Sequence, residues 1–291
     1  MKQLKVGIPK GSLQESTMDM LERAGYTVDI RSRSYYPSVD AEHMKLRLIR
    51  PQDMSRYVEK GVVDCGLTGA DWVAENESDV TVVTELVYAK QQLTPVRWVV
   101  AVPEDSPIQS VEDLEGKRIS TELVNVTRNY LDERGINAEV EFSHGATETK
   151  APDLVDAIVE LTETGTSLRQ NNLRIVEEVM ESTTQFIACH ESYQDEWKKK
   201  KITDLSRLLQ STITAKTKVG LKMNVPSDKV EDVVEMLPAL GDPTVNTLAH
   251  KSGYAVEAVV NESETRELIP RLIRAGASGI IEYSLNKVVP C

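Results

Sequence analysis

The sequence predicts an α/β protein with a two-lobed part and a smaller carboxy-terminal module, and three observations support this. Over the first 210 residues, short apolar stretches alternate with helical patterns, the order that builds sheets covered by helices. The nearly continuous apolar run Val96–Val102 interrupts that order and indicates a strand crossing between two lobes. From residue 211 the order is strand, helix, strand, strand, helix, strand, which is the ferredoxin-like arrangement.

Length and composition limit the classes of function. A chain of 291 residues usually forms two or three domains, and a net charge of −12 disfavours nonspecific nucleic-acid binding. No apolar run is long enough to span a membrane, and the amino terminus shows no signal region. The three cysteines form no CxxC pair and have no matching histidine spacing, so they suggest no metal site. We therefore expect a cytoplasmic protein. Its predicted parts are lobe I, residues 1–92 and 184–210; lobe II, residues 93–183; and the module, residues 211–291.

Lobe I repeats one local layout, in which an apolar strand ends in small or charged residues before a helix. The predicted strands are Leu4–Ile8, Lys45–Ile49 and Val62–Leu67, and they lead into Lys10, Arg50 and a loop containing Asp71. Open α/β sheets bind ligands outside the carboxyl ends of such strands. Lys10 could reach an anion there, although a loop lysine also fits plain exposure to solvent.

Lobe II continues with short strands and helices up to residue 155. We predict a helical turn at Val111–Leu114, strands at Lys117–Ser120 and Glu139–Phe142, and a helix between them that ends at Gly135. His144 lies in the strand-to-loop corner that follows. It is a possible general base, but a lone histidine in such a corner is more often structural than catalytic, and we assign it no role.

The stretch Asp156–Asn171 carries the strongest functional signal. An apolar strand ends at Leu161, four hydroxyl residues and a glycine follow in Thr162–Ser167, and a helical pattern begins at Leu168. A phosphate fits such a loop, because backbone N–H groups and the helix dipole favour an anion at a helix N-terminus. Asp156 and Glu160 are candidates for the ribose hydroxyls. A hydroxyl-rich turn that only caps the helix is the alternative.

The carboxy-terminal part contains little that suggests catalysis. We predict a helix over Asp204–Ile213, a solvated helix end at the basic run Lys198–Lys201, and a boundary at Thr214–Lys218. The module then has strands at 219–225, 244–248, 255–260 and 280–288, with helices at 227–237, capped by Ser227, and at 263–275. Modules of this topology often bind effectors or pair into oligomers.

Blocks along nearly the whole chain resemble the long form of the ATP phosphoribosyltransferase family. The blocks are IPKGSL, LRLIRPQDM, VDCGLTGADWV, ISTELVNVTRNYL, GATETKAP, DAIVELTETGTSLRQN, GDPTVNTLA and RAGASGI, in the family's order. The resemblance implies a bilobal catalytic part like that of periplasmic binding proteins and a ferredoxin-like domain that binds histidine. It also implies transfer of the phosphoribosyl group of phosphoribosyl pyrophosphate to N1 of ATP, the first step of histidine biosynthesis, with Mg²⁺ on the pyrophosphate.

The resemblance assigns roles to individual positions. It implies that Lys10 and Arg50 assist the leaving pyrophosphate and that Asp71 and Glu148 line the site. Glu160 would take the ribose hydroxyls, and the 5′-phosphate would be held by Thr162, Glu163, Thr164, Gly165, Thr166 and Ser167. Histidine would be surrounded by Asn224, Leu240, Asp242, Thr244 and Gly279. The implied assembly is a homo-oligomer, from dimer to hexamer.

Three positions depart from the family's usual residues, namely Ser12, Glu160 and Glu163. Glu163 bears most on function, since a carboxylate on a phosphate loop repels the ligand unless it points away. Two other classes remain open: a solute-binding protein, which needs no phosphate loop, and a catalytically inert regulatory subunit, in which the TETGTSL block is not expected. The module is either a histidine sensor or only a means of holding subunits together.

Overall fold

The computed structural model describes residues 2–31, 34–88, 94–249 and 253–289. The chain forms two compact units, one reaching to Ser206 and one from Arg207 onward that also includes Arg23–Gly25. The predicted boundary between residues 92 and 93 falls outside the described residues.

The first stretch of the chain forms lobe I. Its strands and helices are β1 Leu4–Pro9, α1 Gln14–Ala24, β2 Val28–Asp29, β3 Ser38–Val39, β4 Met44–Ile49, α2 Pro51–Glu59, β5 Cys65–Gly69, α3 Ala70–Glu75 and β6 Thr81–Leu86. Lobe II follows with β7 Val96–Pro103, β8 Arg118–Thr121, α4 Val124–Asp132, β9 Glu139–Phe142, β10 Ala157–Thr162, α5 Thr166–Gln170 and β11 Leu173–Ser182. The chain then returns through β12 Thr184–Ala188, α6 His190–Gln194 and α7 Glu196–Lys216.

Each lobe is built on one five-stranded sheet. The order in lobe I is β4-β1-β5-β12-β6, with β1 parallel to β4 and β5. The order in lobe II is β11-β7-β10-β8-β9, with β7 antiparallel to both of its neighbours. Trp98, Val100 and Val102 face one core while Val99 and Ala101 face another. This two-sided burial explains why the sequence of β7 is apolar at almost every position.

Several predicted boundaries in lobe I and after it differ from the structure. β5 begins at Cys65 instead of Val62 and includes Thr68 and Gly69, so Asp71 lies in helix α3 and not in a loop. The strand is longer at this end because β12 pairs with Gly69 and Thr68. The sequence pattern allowed either a helix or a strand for the segment from Arg174 to Met180. The structure places this segment in β11.

Two predictions about the segment that forms helix α7 are wrong. It extends from Glu196 to Lys216 and so contains both the basic run and most of the predicted boundary at Thr214–Lys218. Lys198 is not solvated as predicted, since its ammonium lies 2.7 Å from a carboxylate oxygen of Asp64, a side chain that is 4% exposed. Ser192 and the backbone N–H of Lys5 also donate to this carboxylate. The side chain of Lys198 therefore neutralises a buried acid of lobe I.

The second unit confirms the ferredoxin-like order. Its elements are β13 Lys218–Pro226, α8 Val230–Met236, β14 Thr244–Thr247, β15 Gly253–Asn261, α9 Glu262–Arg274 and β16 Ser278–Ser284. They form an antiparallel sheet of order β14-β15-β13-β16. One face packs against the helices through Val219, Leu221, Met223 and Val225 of β13. Helix α8 begins at Val230, because Ser227–Lys229 forms a 3-10 turn in which Ser227 makes no side-chain cap.

Candidate active site

A cleft of about 590 Å³ lies within the first unit, where strands of both lobes end. In lobe I the cleft is lined by residues that follow β1, β4 and β5, and in lobe II by residues at the ends of β8 and β10. This is the crevice expected outside the carboxyl ends of strands. The charged side chains that line it are Lys10, Arg50, Asp71, Glu122, Glu160 and Glu163.

Lys10 and Arg50 supply the positive charge of the cleft. Lys10 follows β1, and its ammonium lies 4.0 Å from the centroid of the Tyr35 ring. The hydrogen bond and charge of Lys10 lower the pKa of the Tyr35 hydroxyl. Arg50 occupies the N-cap position of α2, where its extended backbone precedes Pro51. Arg50 is exposed and lines the cleft, where its guanidinium can donate to a ligand.

Asp71 joins the two lobes of this unit. Its carboxylate accepts hydrogen bonds of 2.8 Å from the indole N–H of Trp98 in β7 and from the backbone N–H of Trp72. The backbone N–H of Asp71 bonds to the Ser182 hydroxyl at the end of β11. The side chain is buried, and burial raises its pKa although these hydrogen bonds oppose the shift. Asp71 reaches the cleft as predicted, but both of its oxygens are occupied by protein donors.

Glu160 points from β10 into the cleft among other carboxylates. Burial raises the pKa of its carboxyl, and the charges of Glu148 and Glu122 raise it further. A hydrogen bond from the Thr147 hydroxyl opposes this shift by favouring the charged form. Glu160 thus lines the cleft with its carboxylate among like charges.

The predicted strand, loop and helix around Thr162–Ser167 are confirmed. Gly165 has a φ of 72°, a left-handed conformation that favours glycine, and precedes α5 as its N-cap. Its N–H donates to the Thr162 hydroxyl at 2.7 Å, which closes the loop on itself. This N–H is therefore occupied, and the first N–H groups of α5 remain as the backbone donors without an intrahelical partner.

Side chains of the loop are also bonded to their neighbours. The hydroxyls of Thr164 and Thr166 lie 2.9 Å apart, and the Ser167 hydroxyl donates to Glu148 at 2.8 Å. Arg169 donates to the Thr164 carbonyl and to the Thr166 hydroxyl. Glu148 and Ser167 are thus brought together, as their predicted common site requires, and Arg169 adds a cation that we had not predicted.

Several candidates are not among the described residues that line the cleft, namely Glu148, Asp156, Thr162, Thr164, Gly165, Thr166 and Ser167. Asp156 precedes β10, at the opposite end of that strand from the loop, and its carboxylate accepts the backbone N–H of Arg118 at 2.9 Å. The structure thus does not bring it to the ribose position beside Glu160. His144 stacks edge-on against the Phe142 ring at a centroid distance of 4.9 Å.

Sequence reasoning missed several residues of the site. Glu122 lines the cleft directly after β8, and the strand-end rule that selected Asp71 would have found it. Trp72 and Trp98 also line it and meet at right angles with centroids 6.3 Å apart. Trp98 carried no such signal, because an indole inside an apolar strand resembles any core residue.

The candidates in the second unit lie on the sheet and on the loop before β14. Asn224 on β13 and Ser278 on β16 are paired, and Gly279 has a φ of 57°, where an added Cβ would lie 3.5 Å from the amide nitrogen of Asn224. The backbone N–H of Leu240 bonds to the carbonyl of Val259, and the leucine side chain is half exposed. Asp242 and Thr244 are exposed near the start of β14.

Two kinds of feature are absent from the described residues. Within the described ranges, no three His, Cys, Asp or Glu side chains form a group able to hold a metal ion. No helix in the described part of the chain is long and apolar enough to cross a membrane.

Comparison with known proteins gives consistent matches. A family model described as ATP phosphoribosyltransferase matches residues 50–211, and one described as HisG, C-terminal domain, matches residues 215–287. An ATP phosphoribosyltransferase of Thermodesulfovibrio yellowstonii is 55% identical over 99% of both chains. One of Chlorobium luteolum is 54% identical over 99% of this chain and 98% of the relative. A chain of the ATP phosphoribosyl transferase (HisG:HisZ) complex from Thermotoga maritima has a TM-score of 0.63 at 30% identity, covering 73% of this chain and 99% of that chain.

Proposed function

The chain belongs to the ATP phosphoribosyltransferase family, and we propose that the cleft between its lobes is where that reaction takes place. The enzyme transfers the phosphoribosyl group of phosphoribosyl pyrophosphate to N1 of ATP in the first step of histidine biosynthesis. A bond forms between N1 and C1′ of the ribose, and the bond from C1′ to the pyrophosphate oxygen breaks with its electron pair. N1 attacks with a lone pair, so no proton has to be removed first.

The observation that carries this proposal is the position of Glu160 at the end of the strand that leads into the hydroxyl-rich loop. Its carboxylate lines the cleft, and the loop of Thr162–Ser167 follows directly. A sugar whose hydroxyls bind Glu160 would place its 5′-phosphate at the loop, on the free N–H groups of α5. Thr164, Thr166 and Ser167 would turn their hydroxyls toward this phosphate. Glu148 supports the loop through Ser167.

Lys10 and Arg50 would orient the pyrophosphate and stabilise the charge that it gains on leaving. A displacement at an anomeric carbon develops positive charge on the sugar and negative charge on the leaving group. Lys10 and Arg50 follow neighbouring parallel strands, so both side chains approach the same part of the cleft. Asp71 would act from lobe I by keeping Trp98 and the cleft wall in place.

The charges of the cleft fit the use of Mg²⁺. Two cationic and four acidic side chains are among the described residues that line it, while both substrates are polyanions. The described residues form no metal cage, and Mg²⁺ commonly retains waters and binds through substrate phosphates. We propose that Mg²⁺ enters on the pyrophosphate oxygens, where it would neutralise the leaving group, with Lys10 and Arg50 beside it.

The carboxy-terminal module would bind histidine as a feedback inhibitor. Asn224 and Gly279 lie together across two strands, and the exposed Asp242 and Thr244 offer acceptors to an amino group and an imidazole. We propose as well that the protein assembles into a homo-oligomer. A cytoplasmic location agrees with the free thiols of Cys65 and Cys189.

The experiment compares the parent with Glu160→Gln in the presence of ATP, phosphoribosyl pyrophosphate and Mg²⁺. Glutamine keeps the size and one acceptor of glutamate but loses its charge. Pyrophosphate release and calorimetric affinity for phosphoribosyl pyrophosphate should both fall about tenfold to a hundredfold, as expected when hydrogen bonds to a charged group are weakened. Glu139→Gln, at an exposed strand acid of the same lobe, is the control and should change neither quantity. Unchanged affinity and turnover in Glu160→Gln would contradict the assignment.

A further inference from the structure

We propose that Lys150 is a positioning residue for the transfer reaction, which holds the Glu160 carboxylate in place through the hydroxyls of Ser143 and Thr147. The inference rests on the proposed function, in which Glu160 binds the ribose. It concerns a lysine that is not among the described residues lining the cleft.

A row of hydrogen bonds leads from Lys150 to the Thr147 hydroxyl, which acts on Glu160. The ammonium of Lys150 donates to the Ser143 hydroxyl at 2.8 Å and to the Ser120 hydroxyl at 3.1 Å. The hydroxyls of Ser143 and Thr147 lie 2.8 Å apart, and the Thr147 hydroxyl lowers the pKa of the Glu160 carboxyl, so it favours the charged form of that group. Ser120 and Ser143 are fully buried, and Thr147 is 2% exposed. We call Lys150, Ser143, Thr147 and Glu160 the relay.

The two ends of the relay fix the direction of every hydrogen bond within it. An ammonium can only donate and an ionised carboxylate can only accept. The Ser143 hydroxyl therefore accepts from Lys150 and donates to Thr147, and the Thr147 hydroxyl donates to Glu160. In such a row each bond polarises the next, so the positive charge at one end strengthens the last bond to the carboxylate.

Neighbouring strands place the members of the relay beside β10. Ser120 belongs to β8 and pairs in register with Ile158 of β10. Ser143 directly follows β9, and its N–H bonds to the carbonyl of Thr121 at 2.8 Å. Thr147 begins the 3-10 turn that brings Lys150 back over these hydroxyls. The arrangement is therefore determined by the sheet and not by one flexible side chain.

The chemistry of this partly buried lysine is unusual for a purely structural role. In the part of the chain that the structure describes, Lys150 forms no ion pair, and its two hydrogen bonds go to neutral hydroxyls. At the other end, the Glu160 carboxylate is repelled by Glu122 and Glu148. The relay offsets that repulsion and restrains one carboxylate oxygen. The charged groups that share the cleft with Glu160 are Lys10, Arg50, Asp71, Glu122 and Glu163.

The test measures kcat/KM for phosphoribosyl pyrophosphate against pH in Lys150→Met, Ser143→Ala and Thr147→Val. Each change interrupts the relay at a different member. We expect each to lower kcat/KM at neutral pH about tenfold to a hundredfold. Glu160 must be ionised to accept the ribose hydroxyls, so activity falls as pH decreases through its pKa. Because each variant removes a group that favours the charged form, the acidic limb should move to higher pH.

Double variants show whether the three substitutions act through one relay or independently of one another. Once one member of the relay is removed, removing a second should lower kcat/KM little further. The double variant Lys150→Met, Ser143→Ala should therefore have a kcat/KM within about twofold of that of the slower single variant. Lys117→Met, a lysine of the same lobe outside the relay, is the control and should keep the parental pH profile. Thermal unfolding of each variant identifies any that fail to fold, and Ser143→Ala removes only one oxygen atom.

Two results would overturn the inference. In one, Lys150→Met alone is slow while Ser143→Ala and Thr147→Val resemble the parent, which would mean that Lys150 acts without the relay. In the other, all three variants lose activity without any movement of the acidic limb, as a merely structural role predicts. If Glu160→Gln itself leaves sugar binding and turnover intact, the proposed function fails first, and this outcome is distinguishable from both.

Discussion

At the scale of single residues, Glu163 is the position where this chain conflicts most with its proposed ligand. It is the residue directly after β10 and lines the cleft, on the loop that would hold a phosphate. One like charge at a water-exposed site is unfavourable by roughly 1 kcal/mol at contact distance. The nearby Arg169 guanidinium, bonded to Thr164 and Thr166, supplies a compensating charge on the same loop.

We predict that Glu163→Ala binds phosphoribosyl pyrophosphate about twofold to tenfold more tightly than the parent, because it removes that repulsion. Calorimetric titration at two ionic strengths measures the effect, which should diminish as salt screens the charge. Glu163→Gln, which removes the charge but keeps the size, should behave alike. Weaker binding by both variants would instead mean that the carboxylate contacts the substrate.

At the scale of single elements, the loop between β10 and α5 depends on one backbone conformation. Gly165 has a φ of 72°, and a Cβ there would lie 2.9 Å from a guanidinium nitrogen of Arg169. A β-branched residue at such a φ is strained by about 1 to 3 kcal/mol. The same substitution would move the side chain of Arg169 and block the approach of a phosphate.

We predict that Gly165→Val lowers both the melting temperature and the affinity for phosphoribosyl pyrophosphate. Gly135 offers a matched control, since it has a φ of 69° in the same lobe, with nothing within 4 Å of an added Cβ, and lies outside the loop of Thr162–Ser167. Gly135→Val should lower the melting temperature but keep the affinity. Equal affinities in the two variants would show that the loop does not bind the phosphate.

Helix α7 is the second element with a testable feature. Asp64 is buried, and its carboxylate accepts hydrogen bonds from Lys198, Ser192 and the backbone of Lys5. Lys198→Met would leave a buried carboxylate without its cation, which should reduce the free energy of unfolding by about 1 to 3 kcal/mol. Lys200→Met, on the exposed side of the same helix, should change it by no more than about 0.5 kcal/mol. Urea unfolding measures both, and equal stabilities would contradict the structural role of Lys198.

At the scale of the whole molecule, catalysis and regulation are proposed to occupy different units. The described residues that line the cleft all precede residue 185, and the histidine candidates all lie from Asn224 onward. Inhibition from a separate site is a coupling free energy, typically about 1 to 3 kcal/mol, and it acts reciprocally on binding.

We predict that a protein ending after Thr217, which keeps helix α7 complete, releases pyrophosphate but is not inhibited by histidine. The intact protein should be inhibited, and intact Asp242→Asn should be inhibited less. Titration of histidine during turnover measures all three. Inhibition of the shortened protein, or none of the intact one at normal turnover, would refute the regulatory assignment.

The sequence by itself determined the elements and the chemistry of this protein, because both depend on short stretches of chain. Periodicity located many of the strands and helices but not β2, β3, β6 or α6. The block at Asp156–Asn171 identified strand, loop and helix, and the order after residue 211 specified a ferredoxin-like sheet. These features depend on local propensity, turn chemistry and alternation, which the sequence carries directly.

Only the tertiary structure decided which side chains meet. It brought Trp98 to Asp71 and Lys150 toward Glu160, placed Asp156 at the wrong end of its strand, and joined Lys198 to Asp64. Each of these contacts depends on the register and direction of strands that are distant in sequence. A one-residue shift in register reverses every side chain of a strand, so such contacts cannot be read from a local pattern.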